Sequence, residues 1–148
     1  KIISKTSEKN NILQEKTKDT DNNTDQYPIS VLVVEDNTEL RNFLNDILSG
    51  TYKVFEATNG QEGLEQALQY VPDFIISDVM MPVMDGYTAT KKIRSLERSD
   101  AKTIPIIAMT ANAFQEDAEK CIAVGMNAHL AKPLDIEKMK KTIKSICS

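Results

Sequence analysis

From Ile29 onward the chain repeats one unit: a short apolar run that stops at a polar residue, then a stretch whose apolar residues fall at helical spacing. This alternation limits the possible folds more than any other property. Strands that are apolar throughout must be covered on both faces, and the intervening helices are there to cover them. The first unit is "ISVLVVEDN" followed by "TELRNFLNDILSG", where Leu40, Phe43, Leu44, Ile47 and Leu48 occupy i, i+3, i+4, i+7 and i+8 and Gly50 is expected to cap the helix. The second is "YKVFEA" with "GQEGLEQALQY", which carries Leu64, Ala67 and Leu68 on one side. The third is "DFIISD", a loop over 79–86, and "YTATKKIRSLE", with Ala89, Ile93 and Leu96 predicted to face the core. The fourth, "IPIIAMT" and "AFQEDAEKCIAVG", is predicted to bury Phe114, Ala118, Cys121 and Ile122 and to stop at Gly125. In the fifth, "AHLAKP" precedes "LDIEKMKKTIKSIC", with Asp135 as N-cap and Ile136, Met139, Ile143 and Ile146 inward.

Five such units predict an α/β fold, a doubly wound five-stranded parallel sheet with helices on both faces. Strands 1, 3 and 4 read as central, whereas Lys53 and Glu56 place strand 2 nearer an edge. Residues 29–148 are expected to form one domain. Residues 1–28 are rich in Lys, Asn, Thr, Asp and Glu and contain no glycine, so they read as a polar linker with at most a short helical piece around Ile12 and Leu13.

Composition narrows the function classes. A net charge of −4 argues against a nucleic-acid or anionic-membrane partner. No apolar stretch approaches the roughly 20 residues of a membrane span, and the N-terminus lacks the layout of a signal peptide. A cytoplasmic domain without direct membrane contact is therefore expected. Cys121 and Cys147 have neither CxxC spacing nor the density of a secreted scaffold, and read as reduced apolar fillers.

The polar residues collect at the strand ends, where the ligand crevice of an open parallel sheet lies. Strand 1 ends in Glu35 and Asp36, strand 3 in Asp78, strand 4 in Thr110, and strand 5 in Lys132 before Pro133. Singly, each has an ordinary explanation: Glu35, Asp36 or Thr110 as helix caps, Asp78 as a turn residue, Lys132 as an exposed lysine. Together they put three carboxylates, a hydroxyl and an ammonium in one place. Two carboxylates about 4 Å apart repel by roughly 4 kcal/mol at an effective dielectric near 20, so the group must share a proton or gather a hard cation. Mg²⁺ suits an all-oxygen donor set, and no His or Cys cluster supports zinc. A carboxylate, a divalent cation, a lysine and a hydroxyl describe a site for phosphoryl transfer onto an aspartate.

With "VVEDN", "SDVMMPVMDGY", "AMTA" and "AKP" in this order, the chain closely resembles the receiver domain of two-component response regulators from about Ile29 to Cys147. The resemblance implies a (βα)5 flavodoxin-like receiver fold, with Asp78 as nucleophile and phosphoacceptor. It implies that Asp36 and Asp78 bind Mg²⁺ directly, that Glu35 helps through water, and that the backbone carbonyl of Met80 completes the set. Thr110 would hydrogen-bond the phosphoryl group, Lys132 would pair with it, and the Lys132–Pro133 peptide would commonly be cis. The phosphodonor would be a histidine kinase or histidine phosphotransfer protein. Thr110 and Lys132 would respond to the new charge, and His129 stands where the family carries a switching aromatic. The output surface, and a possible homodimer, would involve the fourth helix, fifth strand and last helix.

The missing initiator methionine, the polar leader and the absence of an effector after Ser148 lead to the expectation of a receiver from the C-terminal end of a hybrid sensor histidine kinase. The parent would be the kinase and could be membrane-anchored, while the domain itself would promote only its own phosphorylation and dephosphorylation. A free-standing single-domain regulator is the alternative. A haloacid-dehalogenase-like phosphatase would need a second aspartate where Met80 stands, and a dinucleotide-binding domain would need GxGxxG where "VVEDNTE" is acidic.

Overall fold

The structure, a computed structural model, describes residues 29–111 and 115–147. The predicted linker over 1–28 and the predicted burial of Phe114 lie outside them. The elements in chain order are β1 (Ser30–Val34), α1 (Thr38–Leu48), β2 (Lys53–Ala57), α2 (Gly60–Tyr70), β3 (Phe74–Asp78), α3 (Gly86–Arg94), α4 (Ser99–Thr103), β4 (Ile106–Thr110), α5 (Gln115–Val124), β5 (Ala128–Ala131) and α6 (Ile136–Cys147). The fourth and last predicted helices are thus α5 and α6. The one-turn α4 was not anticipated, because "SDAKT" is polar and offers only Ala101 to the core.

All strand pairs are parallel, in the order β2-β1-β3-β4-β5. Lys53 and Glu56 do mark an edge strand. Alternation at period two divides the core. Leu32, Val34, Ile75 and Ile106 pack on one face with residues of α2, α3 and α5, including Ala67, Ile93 and Cys121. Val31, Val33, Ile76 and Ile107 pack on the other with Leu44 and Leu48 of α1 and Met139 and Ile143 of α6. β1, β3 and β4 are buried almost throughout, as strands covered on both sides must be.

Three side chains predicted to face inward do not. Phe43 is 42%, Leu68 42% and Ile122 59% exposed. Each adjoins a buried residue, Leu44, Ala67 or Cys121, and one residue turns a helix by about 100°. The buried stripe is narrower than the apolar spacing suggested. The helix ends also differ in detail. α1 is capped by Asn37, whose side chain accepts from the Leu40 N–H, and closes at Ser49 rather than Gly50. Asp135 does cap α6, accepting the Lys138 N–H at 3.1 Å, and Gly125 ends α5 at φ +108°. Cys121 is a buried filler; Cys147, at the end of α6, is exposed, and both are free thiols. No helix among the described residues is long and apolar enough to cross a membrane.

The strand order sets the location of the site. β1 connects outward to β2, the chain then crosses to β3 on the other side of β1, and the connections diverge, leaving a crevice beyond the carboxyl ends of β1 and β3.

Candidate phosphoacceptor and metal site

β1 and β3 are paired with Val34 opposite Ser77, so the residues that follow, Glu35 and Asp78, emerge side by side. Asp36 turns toward α1 and is exposed, whereas Glu35 is fully buried and Asp78 nearly so. Oxygens of Glu35, Asp36 and Asp78 lie within 4.8 Å of one another. Lys132, just past β5, places its Nζ 3.2 Å from Asp78 Oδ2 and 3.3 Å from Glu35 Oε1. Thr110 ends β4 and is 1% exposed; its carbonyl accepts the backbone N–H of Lys132 at 2.8 Å, which ties the lysine to the neighbouring strand. The Lys132–Pro133 peptide is cis.

The loop after β3 is shaped by close approach. The Gly86 N–H donates to the Val79 carbonyl at 3.0 Å, and a Cβ on Gly86 would stand 2.3 Å from the Asp78 carbonyl oxygen. Only glycine lets α3 begin that near the acidic residue. Within this loop the Met80 N–H reaches Asp78 Oδ1 at 3.4 Å, while the Met80 side chain is 70% exposed. His129 sits on β5, half-buried, opposite Ala108, and not among the carboxylates.

The electrostatics reflect crowding of like charge. Burial, reinforced by the Asp78 carboxylate, pushes Glu35 up to about 7, against the opposing pull of the Asn37 N–H and Lys132. Burial pulls the Lys132 ammonium down, but Asp78 and Glu35 outweigh it and hold the group above the ordinary lysine range. Glu35 Oε2 accepts the Asn37 N–H at 3.0 Å; among the described residues the buried Oε1 has no hydrogen bond and is approached by the Lys132 ammonium at 3.3 Å. A buried carboxylate oxygen served by an ion pair alone is incompletely satisfied. Three convergent carboxylates, one with an unsatisfied oxygen and no nitrogen or sulfur donor among them, fit a hard divalent cation of the Mg²⁺ kind.

Three residues beside the site did not emerge from the sequence. Arg41 of α1 donates to the Glu35 carbonyl at 2.8 Å and pairs with Glu56 at 3.2 Å, and Asn45 donates to Glu56 at 2.7 Å. In the sequence, Glu56 marks only an edge strand. A signal was available: an acid near the end of an otherwise apolar strand, with a basic residue in the helix that must pack beside it.

The chain belongs to the response regulator receiver domain family, whose pattern matches residues 31–144. It is a receiver domain of two-component signalling; receiver domains bind Mg²⁺ in the active-site cleft and accept phosphoryl groups from histidine kinases or histidine phosphotransfer proteins. Among its relatives it is 34% identical to the sensor histidine kinase TmoS of Ectopseudomonas mendocina over 118 residues, which make up 80% of this chain and 12% of that protein. It is 33% identical to the polar-differentiation response regulator DivK of Brucella anthropi over 119 residues, 80% of this chain and 95% of DivK. The crystal structure of the receiver domain of sensor histidine kinase PA1611 from Pseudomonas aeruginosa PAO1 matches with a TM-score of 0.74 at 35% identity, covering 82% of this chain and all of that one, and has a magnesium ion coordinated in its active-site cleft.

Proposed function

We propose that Asp78 is the phosphoacceptor and that Glu35, Asp36, Asp78 and the backbone carbonyl of Met80 hold the Mg²⁺. The observation that carries this reading is the approach of the Glu35, Asp36 and Asp78 oxygens to within 4.8 Å, with Lys132 Nζ 3.2 Å from Asp78. When bound, Mg²⁺ supplies the positive charge that lets an anionic phosphoryl group approach three carboxylates. A carboxylate oxygen of Asp78 attacks the phosphorus of a phosphohistidine on the donor protein. The new O–P bond forms as the N–P bond breaks, and the histidine nitrogen leaves with the electron pair. Lys132 then pairs with a phosphoryl oxygen in place of the carboxylates, and the Thr110 hydroxyl donates to another. Hydrolysis of the acyl phosphate restores Asp78.

The phosphodonor is a histidine kinase or histidine phosphotransfer protein. Movement of Thr110 and Lys132 passes to the surface of α5, β5 and α6, with His129 as the switching ring, and the same surface supports a homodimer. The exposed Ile122 of α5 favours a partner-facing role. The match to the sensor kinase TmoS supports a receiver within a hybrid histidine kinase, and the match along nearly all of DivK supports the second reading, a single-domain regulator.

Intact mass after incubation with acetyl phosphate and Mg²⁺ tests the assignment. The native protein gains one phosphoryl group and Asp78→Asn gains none. An equal gain in both rejects Asp78 as the acceptor.

A further inference from the structure

Arg41 lies one turn into α1, yet its side chain runs along the sheet edge rather than into solvent and is 13% exposed. Nη1 donates to the Glu35 carbonyl at 2.8 Å, and Nε faces Glu56 Oε1 at 3.2 Å. Glu56 is held in turn: Oε2 accepts Asn45 Nδ2 at 2.7 Å, and its carbonyl accepts Gln66 Nε2 at 2.6 Å. On its other side, the Glu35 peptide donates its N–H to the Ala57 carbonyl at 3.0 Å. Groups on α1 and β2 therefore grip both backbone polar atoms of Glu35 from outside the acidic cluster.

An ion pair at a sheet edge is ordinarily a minor stabilising contact. The bond to the Glu35 carbonyl is of another kind. It fixes the peptide that joins Glu35 to Asp36, and the mutual repulsion of these two carboxylates with Asp78 drives that peptide outward. A planar guanidinium can hold a carbonyl and a carboxylate at once in a fixed relation, whereas an ammonium cannot reproduce that fork.

We infer that Arg41, braced by Glu56, is a positioning residue for the acidic pair, holding Glu35 and Asp36 convergent with Asp78 before a divalent cation binds. This rests on reading the three carboxylates as the Mg²⁺ site. The claim has a distinctive sign. By charge alone, deleting a cation beside three carboxylates tightens Mg²⁺ binding. Loss of positioning weakens it, by about ten-fold for a partner of this kind.

Calorimetric titration of the metal-free protein with Mg²⁺ decides between them, on native protein, Arg41→Met, Arg41→Lys and Glu35→Gln, each checked for a native circular dichroism spectrum. The expected result is about ten-fold weaker binding for Arg41→Met and a smaller but measurable loss for Arg41→Lys, which keeps the charge and loses only the fork. Because the lysine variant preserves charge, it also serves should the methionine variant fail to fold. If Glu35→Gln weakens binding while Arg41→Met binds as tightly as native or more tightly, or Arg41→Lys is indistinguishable from native, the positioning role is wrong and the metal site stands. If the native protein does not bind Mg²⁺, or Glu35→Gln binds it unchanged, the reading of the site fails and this inference falls with it.

Discussion

The ammonium of Lys132 stands 3.2 Å from Asp78 Oδ2, and no other cation is paired with that carboxylate among the described residues. The same Nζ is 3.3 Å from Glu35, so one lysine approaches two buried acids at once. On the proposed reading of the site, a bound divalent cation would share that electrostatic role.

Replacing Lys132 by Met leaves Glu35 and Asp78 without their counterion. Loss of one partner from a buried pair costs several kcal/mol, and the partial exposure of Lys132 reduces this to about 1–3 kcal/mol here. Urea denaturation of Lys132→Met should show that loss in EDTA and a smaller one in Mg²⁺. Equal losses in both conditions would mean that lysine and cation do not act on the same charges.

Metal-free stability should fall as pH rises. Folded Glu35 keeps its proton to about pH 7, whereas an ordinary glutamate releases it near 4.5. Between these values the folded chain binds more protons than the unfolded one, so this group's contribution declines across that window and stays low above it. The decline amounts to at most about 3 kcal/mol. Comparing urea midpoints in EDTA at about pH 5 and about pH 8, Glu35→Gln should flatten the slope. A slope that persists in the variant has another origin.

Gly86→Ala should destabilise by at least about 2 kcal/mol, since its Cβ would press to 2.3 Å from the Asp78 carbonyl, a backbone atom that cannot rotate aside. Chemical denaturation measures this directly. A native midpoint would show that the β3–α3 turn relaxes freely.

Val83 offers the opposite test. It holds a left-handed φ of 69° and is 81% exposed, so a β-branched residue bears steric strain without burying its side chain. Val83→Gly should raise stability by about 0.5–1 kcal/mol, the relief of strain exceeding the entropy glycine adds to the unfolded chain. Thermal unfolding would contradict this if the variant melted below native.

Much of this molecule is written locally. Apolar runs of strand length alternating with helical spacing predicted the parallel sheet, and residues at the ends of those runs predicted Glu35, Asp36, Asp78, Thr110 and Lys132 as one group. Which side chains of an element face the core follows from that element's own period, so the pattern reports burial even though the strands that pair lie far apart in the chain. Phe43, Leu68 and Ile122 escaped because spacing specifies a helical face but not how wide a strip of it the sheet covers. α4 escaped because a single polar turn leaves no periodic trace.

The sequence by itself determined the alternation, the chemical types available at the strand ends, and hence the kind of site. Only the tertiary structure decided which acid is dehydrated, which oxygen lacks a hydrogen bond, and that Arg41 and Glu56 hold the loop from behind. The reason is geometric: Glu35 and Asp78 are more than forty positions apart, and their approach depends on β3 pairing with β1 after the crossover. Desolvation and hydrogen-bond satisfaction are properties of that assembled neighbourhood, and no single segment contains them.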